Sequence, residues 1–303
     1  MEPRIDANTR LLVLAPHPDD ETIGAGALIQ QVRQAGGEVR IVLFTNGDNN
    51  PWPQRYLERR VWINAAARQR WGHRRRTEVT EALDRLGVPV SALISLNWPD
   101  MGLTGLLRQR GAAAVDAVAE QIAHARPSMI VLPSLDDDHP DHGTCHVLAR
   151  LALAKLGLDC PLLAYLIHGK DRGRAGGHWT VPADAALTAR KLHALQAHVS
   201  QTLLSGARVR RFASRPESYQ LLDAAIGSES LWQPPRVLWP FLRVTVAEID
   251  RVQRWPWAQS PLRHTGAGQA ANARLEPGPP RFAKLELELP SPWIFDYWGW
   301  RAL

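Results

Sequence analysis

The segment Leu11-Leu12-Val13-Leu14-Ala15-Pro16-His17-Pro18-Asp19-Asp20-Glu21-Thr22-Ile23-Gly24 decides how the chain reads. Its first five residues are an apolar run of strand length, and a helical pattern begins at Thr22. A histidine and two carboxylates therefore fall at the carboxyl end of a buried strand, where open α/β sheets bind their ligands. An imidazole and a carboxylate three positions apart can reach one divalent ion, with the second carboxylate left over beside it. A metal hydrolase needs those parts, ligands and a base. The same residues are also ordinary helix-start chemistry, because Asp, Thr and Pro favour the first turn and acids suit the positive end of a helix dipole.

A second cluster shifts the balance toward a metal site. After the strand-like run Met129-Ile130-Val131-Leu132-Pro133 comes Asp136-Asp137-Asp138-His139-Pro140-Asp141-His142, and a helical pattern follows through Val147, Leu148, Leu151 and Leu156. Two His/Asp clusters at two strand ends can converge on one crevice. Gly24-Ala25-Gly26 is no dinucleotide fingerprint: the order is wrong, and carboxylates stand where a pyrophosphate would sit.

The pair Ala15-Pro16-His17-Pro18-Asp19-Asp20-Glu21 and His139-Pro140-Asp141-His142 resembles the PIG-L/LmbE family of zinc-dependent N-deacetylases. The likeness runs over roughly residues 9–222 in the family's order: Thr45-Asn46-Gly47-Asp48, Arg75-Arg76-Thr77-Glu78, Trp98-Pro99-Asp100-Met101, then Lys191, His198, Ser200-Gln201 and Glu217. The resemblance implies a Rossmann-like three-layer α/β sandwich and removal of an N-acetyl group from an amino sugar or N-acetylglucosamine conjugate. With it we expect His17, Asp20 and His142 as metal ligands, two imidazoles and one carboxylate that leave a position open for water. Zinc suits these donors, and iron, cobalt or nickel would bind similar ones. Asp19 is the expected general base. His139 is expected to stabilise the oxyanion or protonate the leaving amine, with Asp141 orienting and charging it; a fourth-ligand role for His139 is the alternative. Arg75 and Asp100 correspond to positions that hold sugar hydroxyls, and Asn46 lies near the same crevice. Asp136, Asp137 and Asp138 read as a solvated loop, His168 as the end of the fifth strand, and His198 as structural.

The 303 residues, 45% hydrophobic, suffice for one large domain or a domain with a small addition. The net charge of +6 is a mild excess that excludes a dedicated nucleic-acid binder. Much of it lies in Arg55, Arg59, Arg60, Arg68, Arg70, Arg74, Arg75 and Arg76. That stretch reads as a solvated helix face, or else as an attraction for an anionic substrate. The 2 cysteines, Cys145 and Cys160, imply no disulfide framework. No signal peptide or transmembrane run is evident, which makes a cytoplasmic protein the default expectation, with a homo-oligomer open.

Strands are expected at about 10–16, 39–45, 91–97, 128–133 and 162–168, with helices at 22–36, 55–86, 111–125 and 142–157 and a helical pattern near 184–205. Strands joined by helices imply parallel pairing. The texture changes near residue 225, which suggests a deacetylase core over 1–224 and a β-rich extension over 225–303. Of the 12 tryptophans, seven fall in the extension: Trp232, Trp239, Trp255, Trp257, Trp293, Trp298 and Trp300. Val237-Leu238-Trp239 with Phe241 to Val246 reads as strand, Phe282 to Leu289 as a half-exposed strand of period two, and Thr265 to Asn272 as a flexible loop. The aromatic tail would either cement the extension to the core or stack on sugar rings. Two readings compete with a deacetylase: a zinc amidase acting on another small amide, and a non-catalytic carbohydrate-binding protein on the same scaffold.

Overall fold

The computed structural model describes residues 3–169, 177–182, 184–223, 232–260, 262, 279–289 and 295–303. The expected loop Thr265 to Asn272, the boundary at 224/225 and Trp293 lie outside the described residues.

Strand β1 (Arg10–Ala15) lies between β2 (Glu38–Thr45) and β4 (Met129–Pro133), and the larger sheet has the order β3-β2-β1-β4-β5-β7-β6. Strands β3 (Leu93–Trp98), β2, β1, β4 and β5 (Leu162–Tyr165) run parallel; β7 (Ser218–Leu222) and β6 (His178–Thr180) close one edge antiparallel. Residues on alternate sides of β1 feed different layers, as strand geometry requires. Leu12 and Leu14 pack with α4 (Leu103–Arg110), α5 (Ala112–Ala125) and α6 (Pro140–Leu156). Leu11, Val13 and Ala15 pack with α1 (Asp20–Gln34), α3 (Ala65–Arg85) and α7 (Ala185–Leu195). The result is the expected three-layer α/β sandwich. Because β2 and β4 leave β1 on opposite sides, the sheet's topological switch lies at the carboxyl ends of β1 and β4. Those are the two strands followed by the His/Asp clusters.

The expected helix 55–86 is two helices, α2 (Pro51–Glu58) and α3. Arg59 ends α2 at φ 50°, and Asn64 starts α3 by accepting the Ala67 N–H on its side-chain oxygen, 2.9 Å. Helix α4 was not expected; it is separated from α5 by Gly111 at φ 51°. The fifth strand stops at Tyr165, so His168 lies in the loop beyond it.

Behind α1, the buried Lys191 ammonium donates to Ile23 O (2.7 Å) and to Glu217 Oε1 (2.6 Å). Glu217 also accepts the N–H groups of Ala27 and Leu28 and the Tyr219 hydroxyl. Gly26 is needed for this approach, since a Cβ there would stand 3.0 Å from Lys191 Cγ. Helix α8 (Val199–Ala213) is tied to α3 by Ser200, which donates to Glu78 through both its N–H and its hydroxyl.

A second sheet, antiparallel with the order β11-β10-β8-β9, is built from β8 (Leu242–Ala247), β9 (Val252–Pro256), β10 (Phe282–Leu287) and β11 (Trp300–Ala302). Residues 236–241 form a short 3-10 helix where strand was expected, because Pro240 has no N–H to give a ladder. Strand β10 is buried on both faces where a half-exposed strand was expected. Phe282, with Trp300 and Ala302, joins the cluster around α6, and Ala283 and Leu285 join a layer of Trp232, Trp257 and Leu262. Lys284 is consequently buried, its ammonium paired with Asp296 and 5.7 Å from the Trp300 ring centroid.

Candidate metal and substrate site

The turn after β1 is a tight knot. The His17 N–H donates to Asp20 Oδ2 at 2.8 Å, and Asp20 N–H donates back to His17 O. Asp19 sits at the start of α1 with φ 118°, a conformation that costs an L-residue about 1–3 kcal/mol and that recurs at functional sites. Adjacent carboxylates diverge as a consequence. Asp20 turns in toward the imidazoles, and Asp19 turns toward Arg75, 3.2 Å from its Nη2.

His142, in the first turn of α6, and His17 approach Asp20 Oδ2 from two sides, each with a ring nitrogen at 3.2 Å. All three are buried. His139 caps α6 and also borders the pair, its ring centroid 4.6 Å from that of His17 and 5.0 Å from that of His142. One ligand atom from each of His17, His139 and His142 falls within 4.8 Å of the others, and His17 shares a second such group with Asp100 and Asp141. His142 shares a third with Asp137 and His168. Asp20 Oδ2 stands 3.2 Å from a ring nitrogen of both His17 and His142, and His139, whose Nδ1 accepts the Asp141 N–H at 3.2 Å, has Nε2 left for the same group.

The chemistry of the donors fits a divalent cation. Both nitrogens of His142 are buried without a well-aligned hydrogen bond, although Asp20 and Asp137 carboxylate oxygens lie 3.2 and 3.0 Å away. Burial works against a charged His142, yet Asp137 and Asp20 hold it up at about 10. His17 is likewise opposed by burial and raised well above the usual imidazole range by Asp100, Asp141 and Asp20. Carboxylates that favour positive charge on two buried imidazoles also suit a divalent cation at the same place. Asp20 is resisted by burial but held well below the usual carboxylate range by His142 and His17.

Asp19 behaves differently from Asp20. Burial pushes it up to about 6, with the Arg75 guanidinium opposing and Asp20 reinforcing. His139 is driven well below the usual imidazole range, first by burial and then by the neighbouring His17, His142 and His168. A neutral His139 whose Nδ1 accepts a backbone N–H carries its proton on Nε2.

Several side chains do something other than expected. The Asp141 carboxylate does not orient His139; it accepts the N–H groups of Met101 (2.7 Å) and Leu103 (3.0 Å) and lies 3.3 Å from His17 Nε2. The start of α4, just after the Pro-Asp loop, supplies those amides, which draw it away from His139. Arg75 is buried and spends its donors on Gly47 O (2.9 Å), Pro18 O (2.5 Å) and Asp19. Its fork holds the turn that bears Asp19 and is not open to a sugar. Gly47, at φ 60°, admits it: a Cβ there would stand 1.7 Å from Arg75 Nη1. Asp100 also turns inward, 3.2 Å from His17 Nε2, and accepts the Asn49 N–H. Asn46 donates to Asn97 and lines a cleft of about 350 Å³ with Asp48, Arg68, Gln69, His73 and Arg76. Cys145 is in the core among apolar side chains, and burial raises its thiol. The arginines of α2 and α3 other than Arg75 are exposed or half-buried.

Two residues escape a sequence reading. Asp137, expected in a solvated loop, is buried. Its Oδ2 lies 3.0 Å from His142 Nδ1 and accepts the N–H groups of Ile167 and His168, and its Oδ1 accepts that of His139. That carboxylate fixes the ring of a candidate ligand from behind. The signal available was its place between a buried strand and His142. The other is Phe295, which comes from the C-terminal segment and packs beside His139 and His168, ring centroids at 6.2 and 5.7 Å. The sequence marks the tail as aromatic but not which of its rings reaches the site. His198 is buried 3.2 Å from Glu21, whose other oxygen accepts the Asp19 N–H.

Residues 12–153 match the family model described as PIG-L: GlcNAc-PI de-N-acetylase. Among curated proteins, the chain is 28% identical over 265 residues to the 1D-myo-inositol 2-acetamido-2-deoxy-alpha-D-glucopyranoside deacetylase of Tsukamurella paurometabola, covering 72% of this chain and 85% of that one. Among solved structures it is similar to the A40926 pseudoaglycone deacetylase Dbv21 (TM-score 0.56, 22% identity, 73% of this chain and 100% of that one). It is also similar to the 4-carboxy-2-hydroxymuconate hydratase GalB of Pseudomonas putida (TM-score 0.53, 17% identity, 68% and 83%). A deacetylase and a hydratase on one scaffold mean that the fold alone does not name the reaction. Among the described residues, no helix is long and apolar enough to cross a membrane.

Proposed function

We propose that this PIG-L/LmbE-like chain is a zinc-dependent deacetylase that hydrolyses the N-acetyl group of an amino sugar or N-acetylglucosamine conjugate. The observation that carries the reading is the pair of adjacent carboxylates with divergent surroundings, Asp20 between two buried imidazoles and Asp19 beside them at about 6. His17, Asp20 and His142 would hold the ion, which when bound polarises the amide carbonyl and acidifies water. Asp19 takes the proton of the attacking water, and Arg75 holds its carboxylate in place. His139 presents its Nε2–H to the carbonyl oxygen as negative charge develops there. The protonated Asp19 can then return its proton to the departing amine. Asp141 and Asp100 hold His17, and Asp137 holds His142. The cleft at Asn46, with Arg68 and Arg76, suits a substrate carrying hydroxyls and an anionic group. On this reading the core spans 1–224, and 225–303 is an extension packed upon it.

The test is acetate release from N-acetylglucosamine conjugates with metal content measured in parallel. Asp19→Ala should keep about one ion per chain and lose about 10²–10⁴-fold in kcat. Wild-type turnover in that variant would overturn the role. His142→Ala should lose the ion, and full retention of zinc by elemental analysis would sink the ligand set.

A further inference from the structure

We propose that Phe295 is a specificity-determining residue: the C-terminal segment carries one wall of the substrate pocket, and this ring packs against the C–H face of the amino sugar. The inference rests on the deacetylase reading and deepens it.

The side chains that meet around His17 and His142 are carboxylates, imidazoles and, edge-on to His142, the buried ring of Tyr165. Phe295 brings an apolar ring to that group, at the side where His139 and His168 stand. Phe295 is half-buried there. The hold is built on the residue that follows it. The Asp296 N–H donates to Asp138 O at 2.7 Å, in the loop that leads to His139. The Asp296 carboxylate pairs with the buried ammonium of Lys284. Lys284 faces Trp300, and Trp300 Nε1 donates to Thr144 Oγ1 at 3.1 Å, two residues beyond His142 on α6. Gly143 lets that indole lie against the helix, since a Cβ there would stand 2.9 Å from Trp300 Cδ1. Such a chain of buried polar contacts fixes a turn, and the turn presents Phe295. A pyranose offers hydroxyls at its rim and C–H bonds on its faces. The Asn46 cleft answers the rim, and an aromatic face answers the C–H bonds.

Phe295→Ala and Phe295→Trp are compared with wild type on N-acetylglucosamine glycosides and on N-acylglucosamines of increasing acyl length. Phe295→Ala should raise KM about five-fold for every sugar substrate, with kcat changed less and metal content unchanged. Phe295→Trp should retain the wild-type KM. An unchanged KM overturns the inference, and so does a change confined to acyl-length preference, which would give the ring to the acyl group. The placement has its own readout in carbethoxylation of His168 followed by mass spectrometry. The reaction should be faster in Phe295→Ala, and methyl N-acetylglucosaminide should slow it in wild type at about five-fold lower concentration than in the variant. Equal rates with no protection overturn the inference even where acetate release stands. If wild type releases no acetate from any amide, the deacetylase reading falls, and the labelling result alone decides whether Phe295 meets the sugar.

Discussion

Two lysines are buried among the described residues, and they do different things. Lys191 stands behind α1 with its partner Glu217, which takes two helix N–H groups and a tyrosine hydroxyl besides. Every polar atom of that pair looks inward, and the pair holds the helix whose first residues carry Asp19 and Asp20. Lys284 stands behind α6, and its partner Asp296 keeps 17% of its side chain exposed, next to Phe295. One pair fixes the frame of the candidate metal site, and the other fixes the segment that sets Phe295 beside His139 and His168. Buried ion pairs are weak evidence for stability in themselves. Their partners' surroundings decide what is lost when one is broken.

The largest effect belongs to the core pair. Lys191→Ala leaves Glu217 charged and buried and opens a void beside Gly26. It should destabilise by about 3–5 kcal/mol in urea unfolding. Lys191→Met, which restores the volume but not the charge, should recover little. A cost under about 1 kcal/mol for either variant would break the comparison, because Glu217 would then have no need of its partner.

The two regions also differed in how they could be read. The core was legible because its chemistry is local in sequence. Each His/Asp cluster follows an apolar strand, and parallel pairing with helical crossovers puts both clusters at one switch point. His17, Asp20 and His142 meet for that reason. Side-chain direction was not legible. Asp141 and Asp100 turn to His17, and Arg75 turns to Asp19, because backbone amides and carbonyls from loops distant in sequence claim them. Asp137 looked like loop surface until the loop after β5 supplied the Ile167 and His168 amides that bury it. In the extension the alternation of Phe282 to Leu289 gave a strand correctly but its exposure wrongly. Period two reveals two faces and says nothing about a second layer covering the charged one. Phe295 was beyond reach, since its place depends on Asp296, Lys284 and Trp300 acting together.

A smaller effect on stability and a larger one on recognition are expected at Lys284→Met. The methionine keeps the volume over Trp300, and the Asp296 carboxylate, being partly exposed, can turn to water. The cost should be about 1–2 kcal/mol, well below that of Lys191→Met. The turn then loses its anchor, and KM for sugar substrates should rise as it does in Phe295→Ala, with metal content constant. A stability loss equal to that of Lys191→Met, or an unchanged KM, would mean that the two lysines do the same work.

The smallest effect separates the anchor from the wall. Trp300→Phe removes the indole N–H that reaches Thr144 and leaves an aromatic ring near Lys284. Thr144 Oγ1 keeps its contacts to Pro140 O and Thr104 Oγ1, each at 2.8 Å, so no buried hydroxyl is orphaned. The expected cost is about 1 kcal/mol, read from the urea midpoint at constant slope. Because His142 lies in the same helical turn, a disturbance of α6 would appear as lost metal. Retained metal with a small rise in KM would show that the indole acts through the segment bearing Phe295. If metal falls while KM for the loaded protein holds, the extension acts on the ligand helix instead, and the division of labour between the two buried pairs has to be redrawn.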